Sequence, residues 1–200
     1  MELRRALETR RMTRDFTDNP VDAALFDDLV NLAARSPSAG KTQGWSLLVL
    51  EGAAKQQFWD MSLPQEKRPG FAWPGILRAP VIALSFADPD AYVARYGEAD
   101  KSHTGLGRGV EHWGAPYWTI DASMATMSLL LAAHDVGLGA LFFAVFNDPE
   151  RIRCHFGVPE QLQLLGALAL GWPNSTSARR GASATRRRAT AAEIVHRERW

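Results

Sequence analysis

The chain of 200 residues has little cysteine and no long apolar segment. Its single cysteine, Cys154, excludes an internal disulfide framework and suits a reducing compartment, so we expect a cytoplasmic protein. No apolar run approaches the roughly 18 residues that are needed to cross a membrane. The start, Met1 to Arg14, is charged and lacks the apolar core of a secretory signal. We therefore expect no membrane partner.

The motifs of several enzyme classes are also missing. The sequence contains neither the Gly-x-Ser-x-Gly turn of many hydrolases nor a Walker loop for nucleotide phosphates. Gly105, Gly107 and Gly109 alternate, but they lack the spacing of a dinucleotide-binding loop. The five histidines do not pair at metal-ligand spacings, so we predict no metal site.

Arginine is concentrated near both ends of a chain whose net charge is only +1. One cluster is Arg10, Arg11 and Arg14, and the other is the run 186–188. Guanidinium groups bind phosphate in a planar, bidentate geometry, so the two clusters would form one phosphate site if the fold brought them together. A helix C-terminus also attracts positive charge, and a basic tail also occurs as a solvated or nucleic-acid-attracting segment. Because a basic tail alone is a weak signal, we predict no nucleic-acid partner.

The hydrophobic periodicity predicts an α+β fold with a central mixed β-sheet flanked by helices, in a single domain over residues 1–200. Capping residues, prolines and terminal glycines set the ends of the predicted elements. The predicted helices are 2–11, 22–34, 53–60, 121–136 and a short one opened by Asn147-Asp148-Pro149-Glu150. The predicted strands are 45–50, 80–86, 140–146 and 164–170.

Two segments fall outside this pattern. Residues 88–118 are rich in aromatic residues and glycine, which is typical of a lid or variable insertion and equally of a disordered surface excursion. From residue 174 onward the apolar content collapses, so this C-terminal extension cannot fold alone. Its apolar residues Ile194, Val195 and Trp200 favour wrapping over another surface.

The segment Ser36 to Trp45 joins a predicted helix to a predicted strand. Its small residues, hydroxyls and glycines would let a flat ligand approach the backbone closely. The same composition is also typical of an ordinary loop. This segment alone is therefore not diagnostic.

The order of the segments carries more information than any one of them. Arg-Arg-Met-Thr-Arg-Asp-Phe is followed by Ala-Arg-Ser-Pro-Ser-Ala-Gly and then by Gln-Gly-Trp at the start of a strand. Later come Ala-Ala-His-Asp-Val-Gly-Leu-Gly, the run from Phe142 to Glu150, and Leu-Ala-Leu-Gly-Trp-Pro. In this order and spacing they resemble the flavin-dependent nitroreductase family.

The resemblance implies a homodimer with FMN at the subunit interface and a C-terminal extension that wraps the partner subunit. It implies hydride transfer from NAD(P)H through flavin N5 to a nitroaromatic or quinone, in a ping-pong cycle. The alternatives are a specialised reaction of the same family (dehalogenation, azoline oxidation or flavin fragmentation) and a protein that sequesters flavin without turnover. A nucleic-acid-binding protein using the basic tail is the alternative from another class.

The resemblance also assigns roles to residues. Arg10, Arg11 and Arg14 would lie along the phosphate and ribityl chain, with Arg14 reaching toward the N1/O2 edge of the ring. Arg186 and Arg188 would complete the phosphate site, although the register inside the run 186–188 stays open.

Further residues would surround the ring. Pro37, Ser38, Ala39 and Lys41 of the partner subunit would border it, and the backbone of Ala144 and Val145 would lie near N5. No obligatory protein acid or base is implied.

The chain departs from the family at three of these places. Met12 stands where the family often has serine, and Lys41 where it often has asparagine. Ala144-Val145 stand where it often has an acid or a glycine pair, so the contact with N5 would come from the backbone alone.

The variable segment 88–118 supplies the candidate substrate contacts. They are Trp113, Tyr117 and Tyr92, and ordinary packing explains their presence equally well.

Overall fold

A four-stranded antiparallel sheet lies at the centre of the fold. A computed structural model describes residues 1–174 and 181–200. The strands are β1 (Trp45–Leu50), β2 (Val81–Ala87), β3 (Gly139–Phe143) and β4 (Gln163–Gly171). They lie in the order β1-β2-β4-β3, and each neighbouring pair is antiparallel. The predicted α+β class is confirmed.

The sheet contains less parallel strand pairing than the mixed sheet that the sequence predicts. Within residues 1–174 and 181–200, the parallel component is one bridge between Met12 and Ala140. The connections β1–β2 and β3–β4 each join antiparallel neighbours, although both are long enough for a parallel crossover.

The helices cover both faces of this sheet. In chain order they are α1 (Leu3–Thr9), α2 (Ala23–Ala33), α3 (Gly52–Ser62), α4 (Pro89–Gly97), α5 (Tyr117–Asp135), α6 (Pro149–His155) and α7 (Ala191–Ile194). Strand β2 is buried along its whole length, and its side chains alternate between two cores. Ile82 and Leu84 pack with the α3 and α6 side, whereas Val81 and Ala83 pack with α2 and α5.

Helix α5 is the longest described helix, at 19 residues. Its apolar surface is covered on one side by α2 and the sheet. It ends where predicted, because Gly137 adopts a left-handed φ of 84° that other residues rarely adopt. None of the helices described here is both long enough and apolar enough to cross a membrane.

Residues 88–118 are more regular than the sequence analysis predicted. They contain helix α4, which begins at Pro89 after Asp88, whose carboxylate accepts hydrogen bonds from the amides of Asp90 and Ala91 at 3.0 and 3.2 Å. An acidic N-cap followed by proline is the same signal that correctly predicted α6 at Asp148-Pro149. Short 3₁₀ turns follow, and the last two residues of the segment, Tyr117 and Trp118, already belong to α5, which begins four residues before the predicted start at Asp121.

Strand β3 is shorter than predicted. It ends at Phe143, so Ala144, Val145 and Phe146 leave the sheet although their sequence is apolar. The amide of Phe146 instead donates to Ser62 Oγ at 3.2 Å, on helix α3. The chain is therefore turned away from β4 immediately after the strand.

We predict that Asp22→Ala lowers the free energy of unfolding by about 1 kcal/mol. Asp22 is the N-cap of α2, and its carboxylate accepts a hydrogen bond from the amide of Leu25 at 3.0 Å. Asp27→Ala, on the exposed surface of the same helix, is the matched control and should change stability by less than about half of that. Urea unfolding of the two variants measures the difference, and equal effects would contradict the capping role.

Candidate functional site

The N-terminal arginines lie on a segment that is fixed to the edge of the sheet. The amide of Thr13 donates to the carbonyl of Ala140 in β3 at 3.0 Å. Further along, the amide of Thr17 donates to the carbonyl of Trp172 at 2.8 Å, directly after β4. Residues 12–17 are thereby held across the ends of two neighbouring strands, which sets the positions of Arg10 and Arg14 on either side of Met12.

Arg14 is held between an aromatic ring and the C-terminal segment. Its Nη1 donates to the carbonyl of Met12 at 3.1 Å, and its Cζ lies 5.3 Å from the centre of the Trp73 ring. A Cβ added to Gly181 would lie 3.4 Å from the Cζ of Arg14, in van der Waals contact. The C-terminal segment therefore returns to the N-terminal arginines of its own chain.

Arg10 carries an unsatisfied donor. Its Nε is shielded from solvent and has no hydrogen-bond partner among residues 1–174 and 181–200. Burial, together with the positive charges of Arg188 and Arg11, lowers the pKa of Arg10. The charge of Arg188, near the other end of the chain, thus acts on Arg10.

Within the run 186–188, Arg187 forms an ion pair with a carboxylate of its own chain. Two nitrogens of Arg187 donate to the two carboxylate oxygens of Glu193, one of them at 2.7 Å. Hydrogen bonds from Arg187 and Thr190 lower the pKa of Glu193 to about 2. Arg187 is therefore engaged with α7. The charge of Arg188 acts on Arg10. The side chain of Arg186 is exposed.

Two open cavities adjoin these arginines. One of about 310 Å³ is lined by Arg10, Arg11 and Thr13 together with His134 and Gly139. Gly139 is required there, because a Cβ would lie 2.7 Å from Thr13. The other cavity, of about 180 Å³, is lined by Arg14, Asp15, Trp73, Pro74 and Arg78 among others.

Two residues that line the second cavity form an ion pair. Arg78 pairs with the carboxylate of Asp15, and its Nε donates to the carbonyl of Phe16 at 2.8 Å. These bonds fix the backbone that follows Arg14. The sequence analysis missed Asp15, Trp73 and Arg78, because their partners are distant in the chain.

The predicted ring-bordering residues lie in the loop between α2 and β1. Pro37 and Ser38 line a separate small cavity of about 50 Å³ together with Tyr92 and Asp121. The amide of Ala39 donates to Asp121 Oδ2 at 2.8 Å, and Lys41 is exposed. Within one chain, this loop and the arginine cluster therefore line different cavities.

The predicted N5 contacts follow β3 directly. Ala144 is exposed, and Val145 is partly buried against the core of the α3 side. Their backbone lies beyond the last paired residue of the strand, so it is not used by β4.

The predicted substrate contacts pack together in one aromatic cluster. Trp113 lies at its centre, 5.8 Å from Tyr92, 4.7 Å from Tyr96 and 5.8 Å from Tyr117 between ring centres. Tyr117 is 44% exposed, whereas Tyr92 is 1% exposed. Burial and the hydrogen bond to Asp121 raise the pKa of Tyr92, so its hydroxyl stays protonated and donates.

The buried carboxylate of Asp121 was not singled out by the sequence analysis. It is a charged residue inside the apolar helix α5, which was a visible signal, because buried charges are rare and carry partners. In the part of the chain that the structure covers, no group of three histidine, cysteine or acidic residues could hold a metal ion.

Comparisons with known proteins agree on one family. Residues 7–172 match the model of the nitroreductase family. A putative NADH dehydrogenase/NAD(P)H nitroreductase of Methanothermobacter thermautotrophicus is 27% identical over an alignment of 176 residues that covers 86% of this chain and 78% of that protein. A 5,6-dimethylbenzimidazole synthase of Rhodospirillum rubrum is 26% identical, over 82% of this chain and 78% of that protein.

Solved structures show the same fold. A putative nitroreductase of Exiguobacterium sibiricum, solved in complex with FMN, superposes with a TM-score of 0.73 over 98% of this chain and 97% of that chain. Its sequence is 14% identical, so the likeness concerns the fold alone.

We predict that inorganic phosphate stabilises the protein against heat through Arg10. A ligand that binds only the folded state adds about 1.4 kcal/mol at ten times its Kd. Arg10→Met should remove most of the resulting rise in Tm, because the unsatisfied donor is lost. Arg4→Met, on the exposed face of α1, is the control and should keep the rise. An equal rise in both variants, measured by scanning calorimetry at constant ionic strength, would contradict a phosphate site at Arg10.

Proposed function

The chain belongs to the nitroreductase family, and we propose that it is an FMN-dependent oxidoreductase. In this proposal a homodimer takes hydride from NAD(P)H and delivers it to an electron-poor acceptor, a nitroaromatic or a quinone, in a ping-pong cycle. The observation that supports it best is the buried Nε of Arg10, which lacks a partner in the described chain and lies beside a cavity that Arg10 and Arg11 line. The charge of Arg188 also acts on Arg10.

The arginine cluster fits a phosphate monoester. Gathering several guanidinium groups is unfavourable without an anion, and a dianion that accepts several hydrogen bonds reverses the sign of that energy. Arg10 offers the free donor, Arg11 lines the same cavity, and Arg188 supplies charge from the other end of the chain. These residues would hold the phosphate of FMN, with Arg186 next to them in sequence.

FMN, when bound, supplies the redox chemistry. The chain supplies position and electrostatic potential. Arg14 is already oriented by the Met12 carbonyl and the Trp73 ring, so little reorganisation is needed for its charge to act. We assign to Arg14 the stabilisation of negative charge at the N1/O2 edge of the reduced ring.

The remaining predicted contacts are assigned to the ring and the substrate. Backbone groups of Ala144 and Val145, which β4 leaves unpaired, are available to the N5 side. Pro37, Ser38, Ala39 and Lys41 of the partner subunit would border the ring.

Tyr117 and Trp113 remain the proposed substrate contacts, and the exposure of Tyr117 favours it most. Tyr92 also remains a predicted substrate contact, and its side chain is buried in the single chain.

A specialised flavin reaction is the second candidate. The similarity to a 5,6-dimethylbenzimidazole synthase supports it, since that relative carries out a different reaction at nearly the same sequence identity as the nitroreductase relative. Sequestration of flavin without turnover is the third.

We predict that the purified protein is yellow and that NADPH or NADH bleaches it in the absence of oxygen. Oxidised flavin absorbs at roughly 450 nm, and the reduced ring does not. Bleaching that is reversed by a quinone would support the ping-pong oxidoreductase. A yellow protein that neither nicotinamide bleaches would favour sequestration, and a colourless protein that binds nucleic acid with a steep salt dependence would contradict the proposal.

We also predict that Arg14→Ala weakens FMN binding by on the order of tenfold or more, because it removes an oriented charge. Arg4→Ala is the matched control on α1 and should leave binding unchanged. Titration of the flavin-free protein with FMN, followed by fluorescence quenching, gives both dissociation constants. Equal effects would show that the N-terminal arginines act only as a solvated helix end.

A further inference from the structure

The loop between α2 and β1 is held in an unusual backbone conformation. Gly40 has a φ of 60°, and the non-glycine residues Lys41 and Gln43 have φ values of 56° and 57°. Left-handed backbone costs roughly 1–3 kcal/mol at a non-glycine residue and persists only where the surroundings enforce it. Two such residues within three positions therefore need a strong external support.

Asp121 provides one part of this support. Its Oδ2 accepts hydrogen bonds from the amide of Ala39 and from the hydroxyl of Tyr92, both at 2.8 Å. The Asp121 side chain is 6% exposed, so it lies in the interior beneath the loop. A buried carboxylate that accepts charge-assisted bonds holds its donors strongly.

Helix α4 provides the second part. Arg95 donates through Nε to the carbonyl of Gly40 at 2.9 Å, and its Nη1 and Nη2 donate to the carboxylate of Asp100 at 2.7 and 2.8 Å. A Cβ on Gly40 would lie 3.0 Å from the ring of Tyr96. A Cβ on Gly44 would lie 2.8 Å from the ring of Tyr92.

These contacts come from one face of one helix. Residues 92, 95 and 96 are spaced i, i+3 and i+4, so their side chains point the same way and together cover the loop from Gly40 to Gly44. Two bonds within the loop complete the arrangement, from the Gln43 amide to Ser38 Oγ at 3.0 Å and from Thr42 Oγ1 to the Ala39 carbonyl at 2.6 Å.

We propose that Asp121 and Arg95 are positioning residues that hold residues 38–43 in the shape in which they border the flavin ring. The first part of segment 88–118 then acts as a fixed support for the loop, in place of the lid predicted from its composition. This inference rests on the proposed function for the identity of the ligand, and on the contacts above for the support itself.

The arrangement at Asp121 allows a sharp test. Both bonds use the same oxygen, so Asp121→Asn can keep both through its amide oxygen, whereas Asp121→Ala removes them. Ser123→Ala, on the exposed face of the same helix, is the control. Arg95→Gln tests the second support independently and avoids a change in the core, should Asp121→Ala fail to fold.

Hydrogen exchange of the loop amides is measured first, on the purified full chain. Asp121→Ala should speed exchange in residues 38–43 by on the order of tenfold, and Arg95→Gln by several-fold. Asp121→Asn and Ser123→Ala should match the wild type. Unchanged exchange in both Asp121→Ala and Arg95→Gln would overturn the support.

FMN affinity and the reduction potential of the bound flavin are measured next. Variants that loosen the loop should weaken FMN binding and shift the potential, and Asp121→Asn should restore both. Faster loop exchange with unchanged affinity and potential would overturn the positioning role. A wild-type protein that binds no FMN would overturn the proposed function and, with it, the role toward flavin, while the exchange data would still decide whether the support exists.

Discussion

Repulsion between like charges is the constraint on which the site depends. Burial lowers the pKa of Arg10, and the positive charges of Arg188 and Arg11 add to that effect. Such a cluster opposes folding unless an anion joins it, because each guanidinium group remains charged at any physiological pH. Gly181 of the C-terminal segment also lies close to the Arg14 guanidinium group. This arrangement supports the proposed site for a negatively charged ligand.

The antiparallel sheet makes that gathering possible. Residues 12–17 lie across the ends of β3 and β4, where the amides of Thr13 and Thr17 find carbonyl partners. The position of Arg14 is thus fixed by backbone bonds that do not depend on its side chain. Shape comes from the sheet and charge from the arginines, so substitution of a guanidinium group removes the interaction with an anion without removing the framework.

The elements with local signals were predictable from the sequence. Strand β1, the Asp22 cap and the end of α5 at Gly137 each follow from adjacent residues. Helix α4 carries the same acidic cap and proline as α6, but its aromatic and glycine-rich surroundings favour the prediction of a lid or surface excursion. The end of β3 depends on Ser62, which lies 84 positions from Phe146, and no local pattern could reveal it. The two arginine clusters are visible in the sequence, but whether they act on one ligand depends on long-range folding that no local pattern reveals.

Two features of this chain are energetically unfavourable, the crowded arginines and the left-handed loop, and they are stabilised in different ways. In the proposed function, the repulsion between the arginines is relieved by the phosphate of FMN, and only while FMN is bound. The left-handed loop is relieved by Asp121 and helix α4, which act all the time. A binding site benefits from this division, because a surface that is already in its final shape loses less conformational entropy when the ligand arrives. In the proposed function, the arginine charges are neutralised only when FMN binds, so the free energy of their neutralisation contributes to the affinity.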